Sequence, residues 1–101
     1  MDDPIAAACP LSEAALRRRG RHWRAVIDEA LVEKAPVPGG VRLTFRPERS
    51  VVQDLVDLVD AERDCCGWAS WTLTSTAEAA VVDVTARGEQ AQTVRSLFGV
   101  A

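Results

Sequence analysis

The segment Pro36-Val37-Pro38-Gly39-Gly40 divides the chain into two stretches with different hydrophobic periodicities. Before it, apolar residues recur at the spacing of one helix face, and these are Leu16, Trp23, Ile27 and Leu31. After it, Val41, Leu43 and Phe45 alternate with polar residues, which is typical of a half-buried strand. Proline and glycine commonly interrupt regular secondary structure. The chain is therefore expected to combine helices and strands in one α/β (α+β) fold.

The first helix is predicted to begin after Ser12, a favourable N-cap residue, and to run to about Glu33. Residues 1–11 precede it as a tail or approach segment. A second helix is predicted after Pro47 and ends at Gly67, a residue type that suits the C′ position. Its apolar stripe consists of Val52, Leu55, Leu58, Val59 and Cys66.

Two further strands and a last helix complete the predicted fold. Residues 68–74 and the segment around Val82 and Val84 alternate like strands, and the turn near residues 75–79 predicts a hairpin between them. The last helix is expected to open at Gly88 and to end at Gly99. The predicted order is α-β-α-β-β-α in a single domain spanning residues 1–101. A short strand-helix-strand connection predicts a right-handed crossover, so the expected sheet is three-stranded and mixed, with helices covering at least one face.

Composition limits the partners and the compartment. A formal charge of −3 in 101 residues argues against binding to nucleic acid, although Arg17-Arg18-Arg19 with Arg21 and Arg24 forms one basic run that is most simply a solvated helix face. No stretch is long and apolar enough to span a membrane, and no signal peptide is expected. The number of cysteines is odd. We therefore expect a cytoplasmic protein with reduced thiols.

The adjacent residues Cys65 and Cys66 are the main concentration of reactive side chains. Thiolates are the ligands that Cu(I), Hg(II) and Zn(II) prefer, so the pair predicts a site for a soft metal ion. A structural zinc site is not expected, because no second pair of cysteines or histidines completes a tetrahedron. A stable disulfide within the pair would be strained, since adjacent Cα atoms lie about 3.8 Å apart.

The predicted position of the pair at a helix C-terminus affects its acidity. The partial negative charge of that terminus disfavours a bare thiolate, and Asp64 adds to it. A bound cation would compensate this charge, whereas neutral thiols buried in the core would avoid it. Glu62 lies three and four residues before the pair, on the same helix face. It is predicted to act as an oxygen ligand, an outer-shell group or a proton acceptor, or else to extend to the solvent-exposed rim of the core or to pair with an arginine.

Cys9 is the remaining thiol and lies in the predicted tail, before Pro10. If the first helix folds back on the second, Cys9 could complete a three-thiolate site for a soft ion. A homodimer in which a second copy supplies further sulfur is the alternative source of ligands.

The segment Glu62-Arg63-Asp64-Cys65-Cys66-Gly67-Trp68 resembles one in a group of small bacterial proteins. A similar Glu-x-x-Cys-Cys-x-aromatic segment is associated with regulators of the mercury-responsive type. The resemblance covers the second helix and the hairpin, under half of the chain. Those relatives commonly have Cys-Cys-Pro-Phe where this chain has Cys65-Cys66-Gly67-Trp68. The resemblance implies soft-metal or metalloid handling by Cys65 and Cys66, with no assigned enzyme activity.

Three functions follow from these residues. The first is a cytoplasmic protein that binds a soft metal ion through Cys65 and Cys66, with Cys9 and Glu62 as further ligands. The second is a redox or catalytic protein in which one cysteine attacks, the other resolves, and Glu62 accepts the proton. The third is a structural interaction module in which both cysteines are small core residues.

Overall fold

The computed structural model describes residues 13–65 and 68–100, with the side chains of residues 17–64 and 68–100. In this part of the chain, three helices and four strands follow one another as α-β-β-α-β-β-α. The helices are α1 (Glu13–Ala30), α2 (Arg49–Cys65) and α3 (Gln90–Leu97). The strands are β1 (Leu31–Val37), β2 (Gly40–Phe45), β3 (Ala69–Ser75) and β4 (Ala80–Ala86). None of these described helices combines the length and apolarity needed to cross a membrane.

The four strands form one sheet in the order β1-β2-β4-β3, and every neighbouring pair is antiparallel. The predicted three-stranded mixed sheet is therefore wrong. Because β2 and β3 both run antiparallel to β4, they run parallel to each other, but β4 lies between them. The connection through α2 thus joins two strands of the same direction that are not neighbours. The predicted β3–β4 hairpin is confirmed.

The central position of β4 has a physical reason that local periodicity does not reveal. Ala80, Val82 and Val84 of β4 are all fully or almost fully buried, whereas much of β3 is exposed. A strand in the middle of a sheet is covered by neighbours on both sides. The more apolar strand of the hairpin therefore occupies the centre, and β3, with its exposed serines and threonines, forms the edge.

Strand β1 was not predicted, because the sequence suggested that the first helix continued to about Glu33. The helix ends at Ala30, and Leu31 pairs with Phe45 of β2. The edge strand β1 is mostly exposed and its register shifts between Leu31 and Glu33, so it lacks the clean alternation that marks a strand. Its turn to β2 passes through Gly39, whose φ of 83° is readily adopted by glycine.

The core lies between one face of the sheet and the three helices. Strands β2, β3 and β4 direct their buried side chains to this face, in register as Val41, Val84 and Trp71 and as Leu43, Val82 and Leu73. The predicted apolar faces of β2, with Val41, Leu43 and Phe45, and of β4, with Val82 and Val84, are confirmed. Trp23 of α1, Trp71 of β3 and Phe98 after α3 contact one another, with ring centroids 5.9–6.3 Å apart. This aromatic cluster joins both helices to the sheet.

The opposite face of the sheet carries polar side chains. Arg42 of β2 lies opposite Asp83 of β4, and its Nε donates a hydrogen bond to Asp83 Oδ1 at 2.8 Å. This hydrogen bond, followed by the charge of the carboxylate, raises the pKa of the Arg42 guanidinium. Antiparallel sheets often expose one face to water in this way.

Two hydrogen bonds from the Arg95 side chain of α3 hold the β1–β2 turn against the core. Its Nε donates a hydrogen bond to Gly40 O at 3.1 Å and its Nη2 donates one to Val37 O at 2.8 Å.

We expect Arg95→Ala to lower the free energy of unfolding by about 1.5–3 kcal/mol, because charged donors make the stronger hydrogen bonds. Urea denaturation measures the change. Arg87→Ala, at an exposed arginine, is the control and should change stability by less than about 0.5 kcal/mol. Equal effects of the two substitutions would contradict the role of Arg95.

Candidate functional site

The end of α2 carries the cysteine pair. This helix packs on β3 through a buried stripe, Val51, Leu55, Leu58, Val59 and Glu62. The last residue of α2 is Cys65. The side chain of Cys65 and the residues Cys66 and Cys9 lie outside the described part of the structure. Whether the three thiols meet therefore stays a prediction.

Glu62 is the buried charged residue of the described part of the chain, with only 1% of its surface exposed. Arg19 of α1 lies against it, with Nε 2.5 Å from Glu62 Oε1, and the Arg19 side chain is only 11% exposed. A carboxylate removed from water needs such a partner, because an uncompensated buried charge is strongly destabilising. The alternative in which Glu62 pairs with an arginine therefore agrees with the structure, while its action as a metal ligand stays a prediction.

Sequence reasoning missed Arg19 as a site residue, because the basic run was interpreted as one solvated face. Arg19 precedes Trp23 by four residues and Val26 by seven, and this spacing places it on the core-facing side of α1. Trp23 packs against the core and Val26 is buried. An arginine in line with two core residues was the available signal that a buried acid must face it.

A second contact between the two helices fixes their relative direction. His22 Nε2 of α1 lies 3.4 Å from Asp54 Oδ1 of α2, and both side chains are 41% exposed. Because Arg19 contacts Glu62 and His22 contacts Asp54, α1 and α2 run in roughly opposite directions. The beginning of α1 therefore lies beside the end of α2.

The electrostatic surroundings of the α2 C-terminus are negative. Asp60 and Asp64 are exposed in its last turns, and the last carbonyl groups of a helix add partial negative charge. Arg63 donates from Nε to Trp71 O of β3 at 2.9 Å, and its Nη1 lies 3.7 Å from Asp60 Oδ1. Two arginines beside the last turns of α2 are thus engaged, Arg63 with β3 and Arg19 with Glu62. This helix end favours a cation over an additional anion.

Two tryptophans, Trp68 and Trp71, follow the cysteine pair in the sequence. Trp71 is 4% exposed, and the Nε1 atoms of Trp68 and Trp71 are buried with no acceptor among the described residues. An indole N–H can only donate a hydrogen bond. Both indoles follow the cysteines closely in sequence, so their fluorescence is a natural reporter of changes at this end of α2.

The described side chains provide no further group of metal ligands, and the comparisons with known proteins provide no template for this site. Among the described side chains, no group of three or more His, Cys, Asp or Glu could hold a metal ion. Comparisons of the chain with protein-family models, with curated proteins and with solved structures give no match. The resemblance of the Glu62–Trp68 segment to proteins associated with mercury-responsive regulators stays a prediction.

Proposed function

We propose that the protein is a cytoplasmic binder of a soft metal ion, Cu(I), Zn(II) or Hg(II), held by the thiolates of Cys65 and Cys66. The observation that carries this proposal is the negative charge at the end of α2, where the exposed Asp60 and Asp64 and the last helix carbonyls lie within the final turns that lead to Cys65. A cation bound by the two sulfurs would be stabilised by these groups. Adjacent thiols supply the soft ligands that such an ion prefers.

The same surroundings argue against a bare catalytic thiolate. Thiol nucleophiles are activated by a helix N-terminus or by a neighbouring cation, and α2 offers its C-terminus instead. Arg19 and Arg63, beside the last turns of α2, are directed to Glu62 and to the β3 backbone. The alternative of a redox or catalytic protein with Glu62 as proton acceptor therefore has less support, because the Glu62 carboxylate already faces a guanidinium.

Glu62 fits the proposal best as an outer-shell group. Its ion pair with Arg19 holds α1 against α2 one turn before Cys65. Outer-shell groups orient ligands and tune the affinity of a metal site without touching the ion. Cys9 remains the proposed source of a third thiolate, since α1 begins beside the end of α2.

Native mass spectrometry of the reduced protein with each of the three ions tests the proposal. We expect a stoichiometric adduct on the parent, accompanied by a change in tryptophan fluorescence. In Cys65→Ser/Cys66→Ser the affinity should fall by more than the ~10–100-fold typical of changes in outer-shell groups. Cys9→Ser is the matched control for loss of a thiol, and a comparable loss in that variant would identify a three-sulfur site.

Unchanged binding in the Cys65→Ser/Cys66→Ser variant would contradict the proposal. The rate of reaction with iodoacetamide at pH 6 then separates the alternatives. Fast labelling of the folded protein indicates an activated thiol and a redox or catalytic role. Slow labelling, with stability that does not respond to metal, indicates buried cysteines in a structural interaction module.

A further inference from the structure

The outer surface of α1 carries a stripe of positive charge. Arg18, Arg21 and Arg24 are exposed and recur every three residues, on the side of the helix away from the core. We name these three residues the α1 arginine stripe. Among the described residues, none of the three forms an ion pair in the structure. The stripe spans about 9 Å along the helix, at 1.5 Å per residue.

The outer surface of α2 carries a stripe of negative charge. Asp57, Asp60 and Asp64 are exposed and lie on one helix face, opposite the buried stripe of α2. We name these three residues the α2 aspartate stripe. Asp57 accepts a hydrogen bond from Gln53 and Asp60 has a loose pair with Arg63, both within the same helix. This stripe spans about 10.5 Å, close to the length of the α1 arginine stripe.

The two stripes lie side by side on one surface of the protein. Helices α1 and α2 pack against each other, run in roughly opposite directions, and cover the same face of the sheet. A two-fold axis could run parallel to the two helices, midway between them and just outside their exposed surface. Rotation about this axis would place α1 of each copy against α2 of the other copy. The helix pairs across that axis are again antiparallel. Each arginine stripe would then face an aspartate stripe, and both pairings would form at once.

We propose that this surface is a self-complementary interface through which two copies of the chain associate by pairing the α1 arginine stripe with the α2 aspartate stripe. The occupant is a second copy because its surface has matching charges at matching lengths. Exposed ion pairs contribute little individually and the cores of stable interfaces are poor in charge, so the dimer is weak and sensitive to salt. The inference does not depend on the proposed metal site.

Sedimentation of the reduced protein at two ionic strengths is the first test. At about 0.01 M salt the Debye length is ~30 Å, and at about 1 M it is ~3 Å. We expect dimer at the lower ionic strength and at least a ~10-fold weaker association at the higher one, because screening removes attraction between exposed charges. A parent protein that stays monomeric at low salt, or a dimer indifferent to salt, would overturn the proposal without need of any variant.

Charge reversal provides the second test. In one variant all residues of the α1 arginine stripe become glutamate: Arg18→Glu/Arg21→Glu/Arg24→Glu. In the other, all residues of the α2 aspartate stripe become lysine: Asp57→Lys/Asp60→Lys/Asp64→Lys. Each variant alone should be monomeric, since like charges then face each other. An equal mixture should form a heterodimer, because the new glutamates of one copy face the new lysines of the other, while the native arginine and aspartate stripes form the second pairing.

A matched control separates this interface from general effects of net charge. Glu33→Lys/Glu78→Lys/Glu89→Lys makes the same change in charge as the aspartate reversal, at exposed positions outside both stripes. This control should keep the salt-sensitive dimer. Circular dichroism verifies that each variant is folded. Folded reversal variants that still self-associate, or that fail to associate when mixed, would assign any dimer to another surface.

Discussion

Replacing Gly40 by alanine should lower the free energy of unfolding by at least about 3 kcal/mol, near the upper end of the cost of overpacking a core. Gly40 is the first residue of β2, is buried, and lies opposite Thr85 of β4. A Cβ atom added there would overlap the Val84 carbonyl oxygen and lie 2.9 Å from Thr85 Cα. Both obstacles are backbone atoms of the central strand. They cannot rotate away as the end of a flexible side chain does.

A matched glycine in α1 provides the control for this experiment. A Cβ at Gly20 would have no neighbouring atom within 4 Å, and the residue is exposed within the helix. Gly20→Ala should therefore raise the free energy of unfolding by about 0.5–1 kcal/mol, because alanine loses less backbone entropy in a helix. Urea denaturation of both variants gives the comparison. If Gly40→Ala were as stable as the parent, β2 and β4 could not approach as closely as described.

Removing the guanidinium of Arg19 should destabilise the protein by about 3–5 kcal/mol, the usual cost of breaking a buried ion pair from one side. Arg19→Met keeps much of the length and the apolar stem of the side chain, but leaves the Glu62 carboxylate without the cation that lies 2.5 Å from it. Glu62 is 1% exposed, so water cannot easily replace that cation. Arg18→Met, at the adjacent exposed arginine, should change stability by less than about 0.5 kcal/mol.

The double substitution Arg19→Met/Glu62→Met tests the origin of the stability lost in Arg19→Met. The loss could come from leaving the Glu62 carboxylate buried without a partner, or from removing the attraction between the two charges. Replacing a buried ion pair by apolar residues of similar volume is often neutral or stabilising, so the double variant should recover most of the stability lost in Arg19→Met. Chemical denaturation of the four proteins of this cycle gives the coupling energy. Additive losses would mean that Arg19 and Glu62 contribute independently, against the direct contact of the two side chains.

Periodic hydrophobic patterns were sufficient to predict much of the fold from the sequence. The alternation in β2 and the hairpin of β3 with β4 followed from the sequence, because in each case one face is buried and the other is polar. On α2 the burial of Leu55, Leu58 and Val59 was likewise predicted, but at the start of the helix Val51 is buried where Val52 was expected, and Val52 is only partly buried. In these elements the buried residues are numerous and regularly spaced, so the local pattern reflects the tertiary environment.

Features that depend on contacts between distant segments were not predicted. Strand β1 is an exposed edge whose partner decides its structure, and the place of β4 between β2 and β3 depends on competition between strands for the centre of the sheet. In the candidate site, Glu62 was recognised as an unusual acid on an apolar stripe. Its partner Arg19 was hidden in a run of arginines with similar local sequence but different helix faces.

The position of β4 between β2 and β3 affects how the chain can fold. Each hairpin, β1 with β2 and β3 with β4, pairs segments that are close in sequence. The ladder between Gly40–Phe45 and Ala80–Thr85 instead closes a long loop that contains α2. Loop closure of this kind slows folding, because its entropic cost precedes the stabilising contacts. During synthesis, the inner edge of β2 therefore stays unpaired until the C-terminal hairpin has been made. In this interval the chain is most vulnerable to aggregation.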